Sequence, residues 1–307
     1  MAEQAAGDHE EYYVPHDSKI PVWIAFSLIL FMYGFGSWLN ALKDGGNPNT
    51  VLQVLGAVIL SVALYKWFVT VIRENHAGLA GTQLKRSYVW GMGWFIFSEV
   101  MFFAAFFGAL YYVRNFAVPW LGGEGDKGIS HYLWPEFSPE WASGINPSPD
   151  LAGPRETMEG PALTNVSAWA GYLPLYNTIL LLTSSWTIHV AHTGLKNNNR
   201  KQLTLWLALT IALGCLFLFL QVEEYIHAYQ ELGLTLNTGI YGSTFFILTG
   251  FHGFHVTLGT FMLMMMLVRV LNGHFKPDNH FGFEATSWYW HFVDVVWLGL
   301  FLFVYIV

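Results

Sequence analysis

The stretch YVWGMGWFIFSEVMFFAAFFGALYYVR, residues 88–114, is a long apolar run with a single carboxylic acid, Glu99, near its middle. Glu99 stands eleven residues after Tyr88 and fifteen before Arg114. A helix rising about 1.5 Å per residue carries the acid roughly 16 Å into a hydrocarbon layer about 30 Å thick, close to its midplane. Phe95, Phe102, Phe103 and Phe106 share its helical face at offsets of four, three, four and seven, so aromatic rings are expected to wall it. An acid so placed is expected to be neutral at pH 7 and hydrogen-bonded to a histidine of the fourth or sixth helix. At this depth an ionisable side chain costs about 2.5–3.5 kcal/mol on insertion scales. It marks either a functional group or a protonated acid satisfied by a neighbouring helix.

The composition agrees with a membrane setting. Of 307 residues only 11% are charged and 18% are aromatic, which excludes an ordinary soluble domain. Six further runs are long and apolar enough to span: residues 20–42, 51–72, 172–195, 203–225, 240–271 and 283–307. The expected fold is therefore all-α, with seven transmembrane helices and short connections at 43–50 and 196–202 that make their flanking helices antiparallel neighbours. Asn197, Asn198 and Asn199 mark a tight turn. The net charge of -7 resides in loops and tails, so it implies no nucleic-acid partner. Cys215 is the sole cysteine, which excludes a disulfide framework and a redox dithiol.

Lysine and arginine set the expected orientation. With the N-terminus cytoplasmic and the C-terminus periplasmic, Lys19, Arg73, Lys85, Arg86, Lys196, Arg200, Lys201, Arg269 and Lys276 lie inside, nine against the four outside, Lys43, Arg114, Lys127 and Arg155. Residues 1–19 are acidic and lack a basic n-region, so they read as a cytoplasmic tail rather than a signal peptide. The expected organisation is that tail, two helices at 20–72, a connection at 73–87, and five helices at 88–307. The loop at 115–165, rich in proline and aromatic residues, is expected to rest on the outer face as a partly ordered lid.

Three histidine-bearing pairs sit one helical turn apart: His189 with His192, His252 with His255, and His291 with Asp294. Such pairs can hold a metal or haem when facing helices complete the ligand set, yet no HExxH or CxxC accompanies them. The expectation is no metal and no catalytic residue, with His192, His252, His255, His291 and Asp294 as polar partners across helices. Five glycines of the sixth helix, Gly239, Gly242, Gly250, Gly253 and Gly259, suggest a small-residue packing face. Glu223 and Glu224 are expected at a solvated outer helix end.

Four runs carry a family resemblance: VIRE (71–74), FSEVMFF (97–103), YGSTFFILTGFHGFHVTLG (241–259) and HFGFEATSWYWHFVDVVWLGLF (280–301). Together they closely resemble subunit III of the haem-copper cytochrome c oxidases, in order, over residues 20–307. The resemblance implies two helical bundles, 1–2 and 3–7, separated by a lipid-filled cleft. It implies no cofactor on this chain beyond structural phospholipids, with haem and copper in partner subunits I and II, and cytochrome c as donor. It also implies support of proton uptake by subunit I, with Glu99 matching the family's intramembrane glutamate and with Trp67, Arg73 and Arg269 at phospholipid. Against the family's Gly-His-His-Thr-Pro-like turn after VIRE, this chain has Asn75, His76, Ala77, Gly78 and Leu79. A loop at 115–165 longer than that of mitochondrial members points to a bacterial plasma membrane, the alternative being the mitochondrial inner membrane. Two other readings stay open: a proton-coupled transporter relaying through Glu99, His252 and His291, and a histidine-ligated membrane oxidoreductase.

Overall fold

The computed structural model describes residues 13–15, 17–141, 160–161 and 172–306. Seven long helices follow one another: α1 Ile20–Asp44, α2 Thr50–His76, α3 Thr82–Tyr112, α4 Leu173–Lys196, α5 Arg200–Gln230, α6 Gly239–Leu271 and α7 Phe281–Leu300. Among the described residues there is no strand, only an isolated bridge between Lys276 and Asn279 in the α6–α7 turn. Six of the helices are long and apolar enough to cross a membrane. The exception, α4, carries Asn177, Thr178, Ser184 and Thr187, all buried, so its polarity faces protein rather than lipid.

Helix boundaries outrun the apolar runs because polar turns at a membrane surface remain helical. Thus α3 begins at Thr82 rather than 88, and α5 continues to Gln230 rather than 225. Beyond Tyr112 the chain passes through a π-turn, Val113–Ala117, into a one-turn helix, Val118–Leu121. Pro119 offers no N–H to the Asn115 carbonyl and its ring crowds that carbonyl, so the helix widens just before it. At the end of α2, Gly78 (φ 71°) turns the chain in a left-handed conformation, and the Leu79 N–H closes on the Glu74 carbonyl at 3.3 Å. The asparagine turn forms as expected: Asn198 is left-handed (φ 53°), and the Asn199 side chain accepts from the Gln202 N–H to cap α5.

The chain forms two compact units, Met1–Gly91 and Met92–Val307. Within the first, α1 and α2 pack backbone to backbone: a Cβ added at Gly34 would strike the Gln53 backbone, and one at Gly56 the Phe31 backbone. Tyr13 donates to Glu74 Oε1 at 3.1 Å, tying residues before α1 to the end of α2. Most of the acidic tail, residues 1–12 and 16, lies outside the described residues.

Within the second unit the core is aromatic, with Trp290 and Trp297 of α7 both 0% exposed. Each buried indole needs an acceptor. Trp290 Nε1 donates to Ser184 Oγ and Trp297 Nε1 to Thr178 Oγ1, both at 2.9 Å, so two polar residues of α4 fix the rotation of α7. Close approach of α5 and α6 to α7 depends on Gly214 and Gly259, where a Cβ would lie 2.8 and 2.9 Å from the Trp290 ring. The expected five-glycine face on α6 is not continuous. Gly242 instead faces Thr235 and Thr238, and a Cβ at Gly253 would meet nothing within 4 Å. Of the expected lid, Trp141 packs edge-on against Tyr241 of α6 at 5.5 Å, with the Arg114 guanidinium over its ring at 5.6 Å. Residues 142–159 and 162–165 lie outside the described residues.

Candidate functional site

The site grows from the α3 face that carries Glu99. Glu99 Oε2 lies 2.9 Å from His255 Nε2, across from α3 to α6. The opposite ring nitrogen, His255 Nδ1, is 2.6 Å from the Phe251 carbonyl, which only accepts, so Nδ1 carries a hydrogen. In a neutral imidazole Nε2 is then the acceptor and Glu99 the donor; in the alternative both nitrogens are protonated and Glu99 is a carboxylate. Either way one proton is shared between Oε2 and Nε2, and the pair as a whole has no net charge. Rings surround it: Phe103 lies edge-on to His255 at 5.0 Å, Phe102 is tilted against it at 6.0 Å, and Tyr289 is nearly parallel at 6.4 Å. Phe106 stacks on Phe251 at 5.5 Å, while Phe95 is stacked on Tyr289 at 6.1 Å with much of its ring exposed. Glu99 itself retains 23% side-chain exposure against 8% for His255, so the acid forms the outer edge of the pair.

The other expected polar partners go elsewhere. His252, one turn before His255, places Nε2 3.1 Å from the Val293 carbonyl of α7 and packs beside Trp297 and Phe217. It joins α6 to α7 and takes no part in the Glu99 pair. His291 and Asp294 meet at Ser185 of α4: Ser185 Oγ is 2.7 Å from Asp294 Oδ2 and 3.0 Å from His291 Nδ1. The hydroxyl has one hydrogen, which goes to Asp294, so His291 Nδ1 donates to Ser185. Ser185→Ala removes both bonds at once and leaves the buried Asp294 and the half-buried His291 without this partner. We expect it to destabilise the second unit by about 1–3 kcal/mol, read as a lowered unfolding midpoint of the purified chain, with Ser185→Thr retaining most of the stability.

His192 reaches neither Glu99 nor His252; it approaches Glu284 and His280 at the other end of α4. Trp67 and Arg73 are exposed on α2, whereas the Arg269 guanidinium lies 4.3 Å over the Phe275 ring beyond α6. One buried acid escaped the sequence reading. Glu224, expected to be solvated, is 4% exposed and accepts from Gln221 Nε2 at 3.4 Å. α5 runs more than a turn past it, so Glu224 does not stand at the helix end that the apolar run at 203–225 implied.

A chain of long apolar helices, with no strand among the described residues and with acids and histidines paired between helices rather than left to lipid, is a polytopic integral membrane protein. The family model for cytochrome c oxidase subunit III matches residues 10–124 and 142–307, and the chain belongs to that family. Among its relatives, cytochrome c oxidase subunit 3 of Papio hamadryas and of Hippopotamus amphibius are each 38% identical, and that of Oryctolagus cuniculus 37%, over 295 residues covering 96% of both chains.

Proposed function

We propose that this chain is a core subunit of a proton-pumping cytochrome c oxidase that binds phospholipid, stabilises the complex and supports proton uptake by subunit I as oxygen is reduced to water. The enzyme is the oxidase complex, of which this family is one subunit. The redox centres, haem and copper, belong in this reading to subunits I and II, with cytochrome c as electron donor. The observation that carries the reading is the Glu99–His255 pair. It is an acid with a shared proton, held 2.9 Å from its partner on the α3 face that the FSEVMFF run supplies. Such a pair can hold a proton inside an apolar wall without net charge. The transporter reading needs a relay through Glu99, His252 and His291. These three belong to separate hydrogen-bonded groups, which argues against it.

Two further features support the setting. Residues 125–141 fall between the two matched stretches, consistent with extra length in the outer loop and with a bacterial plasma membrane. The nine-to-four excess of basic residues supports a cytoplasmic N-terminus and a periplasmic C-terminus. Affinity capture of the tagged chain from native membranes should return haem-bearing partners in stoichiometric amount, with oxygen uptake driven by reduced cytochrome c. A chain that arrives alone and conducts protons in liposomes would overturn the assignment.

Phospholipid phosphate would be held by Arg73, exposed in the last turn of α2, and by Arg269, whose Nε is buried without a hydrogen-bond partner. A guanidinium fork suits phosphate oxygens bidentately, and Trp67 is placed to lie against acyl chains. Arg73→Ala combined with Arg269→Ala should lower the phospholipid phosphorus retained per complex and shorten its lifetime under turnover. Unchanged lipid and lifetime would refute these two contacts.

A further inference from the structure

We propose that His192, His280 and Glu284 form a binding site for a single zinc-type divalent cation, joining the end of α4 to the start of α7. One ring nitrogen from each of His192 and His280 and a Glu284 carboxylate oxygen all lie within 4.8 Å of one another. The two imidazole nitrogens approach the same atom, Glu284 Oε1, at 3.5 and 3.3 Å. Zinc bonds of about 2.0–2.2 Å at tetrahedral angles separate neighbouring ligand atoms by about 3.3–3.5 Å, so these two edges already have the required length.

The hydrogen bonding points the same way. Both Nε2 atoms are buried and neither is aligned for a hydrogen bond, although each is within ion-pair distance of the carboxylate. A buried imidazole nitrogen without a partner is costly. Two aimed at one oxygen need something between them. His280 Nδ1 lies 3.2 Å from the Lys276 carbonyl and must donate to it, which leaves the Nε2 lone pair free in the neutral ring. That backbone contact is the second-shell bond that fixes a metal-ligating histidine's tautomer.

The site is built from rigid parts. His280 is the residue capping α7 and Glu284 lies in its first turn, four residues on, so both project from one helix start. His192 lies one turn before the C-terminal end of α4, its ring 5.3 Å from that of His280 and backed by Phe283 at 5.7 Å. Two imidazoles and one carboxylate favour zinc over calcium or magnesium, which prefer oxygen-rich sets. Three protein ligands leave a fourth position for water. Zinc is redox-inert, so such a site adds a cross-link and a point of control at the α4–α7 end without adding an electron-transfer centre.

The test uses the tagged full chain as it comes from membranes, with whatever subunits accompany it. After chelator washing it is dialysed to equilibrium against buffered free Zn2+ in excess Mg2+, and metal is counted by mass spectrometry. The wild type should bind one more tight zinc than His192→Gln or Glu284→Gln, with affinity falling at least 100-fold in each variant. Zinc should also raise the unfolding midpoint of the wild type but not of the variants, which controls for a variant that folds poorly. Equal zinc uptake by wild type and both variants overturns the proposal, as does a wild type in which Mg2+ displaces the zinc or no saturable binding occurs. The last result would leave His192, His280 and Glu284 as an ion-pair cluster only.

Discussion

Glu99→Ala should lower the unfolding midpoint of the purified protein, whereas Glu99→Gln should leave it nearly unchanged. The alanine leaves His255 Nε2 facing a hole: the orphaned nitrogen costs about 1–3 kcal/mol, and the cavity adds to that. Paired polar groups in membranes are often worth less, about 0.6 kcal/mol on average, because the loosened helices find other partners. A net loss of about 1–3 kcal/mol is the expected range. Glutamine preserves the geometry, since its amide can donate to a neutral Nε2 at the position where Glu99 Oε2 now lies, 2.9 Å away. The same variant should assemble normally and keep basal oxidase activity, because in the proposed reading oxygen is reduced on other subunits. Loss of all oxygen reduction in Glu99→Gln would place Glu99 on an obligatory proton path. Infrared difference spectra of wild type against Glu99→Gln report where the shared proton rests, as a carboxylic-acid carbonyl band or as a carboxylate band. We expect the acid band, since charge separation within a ring-lined wall is disfavoured.

Gly56→Ala should be the more damaging of two matched glycine substitutions in the first unit. A Cβ at Gly56 would run into the Phe31 backbone and the Ser27 carbonyl. Backbone cannot swing aside as a side-chain tip can, so α1 and α2 must separate along their contact. Overpacking of this kind costs about 1–3 kcal/mol, and here it falls on a pair of helices whose other faces are largely exposed. Gly36→Ala on α1 is the control. Its Cβ meets nothing within 4 Å, and replacing a mid-helix glycine favours the helix by about 0.5–1 kcal/mol. Limited proteolysis across the α1–α2 connection, with unfolding midpoints for both variants, should show Gly56→Ala cut faster and Gly36→Ala cut no faster than the wild type. Equal behaviour of the two would mean that the helices are not held by backbone contact.

Much of this architecture is legible in the sequence because a membrane permits few structures. Backbone groups in lipid must bond within their own segment, so an apolar run of sufficient length is a helix. Short polar connections then make neighbours antiparallel. Run length, the charge excess, the asparagine turn and the depth of Glu99 all follow from local chemistry, as do the four runs that carry the family resemblance. Periodicity also placed Phe102 and Phe103 on the Glu99 face, where the structure has them beside His255.

Which histidine Glu99 meets is a different kind of question. Helical spacing states which residues share a face but not which face of a second helix turns toward it, and that rotation is set by packing. Here two indole bonds from α7 to Ser184 and Thr178, with Gly214 and Gly259 against Trp290, fix how the helices turn. The outcome sends His255 to Glu99, His252 to the α7 backbone and His291 to Ser185. Packing likewise buries Glu224 inside α5 and gathers His192, His280 and Glu284 from residues as much as 92 positions apart. Local sequence determined the spans and put Glu99 in the middle of the third; only the tertiary structure, through side-chain packing between helices, decided its partner.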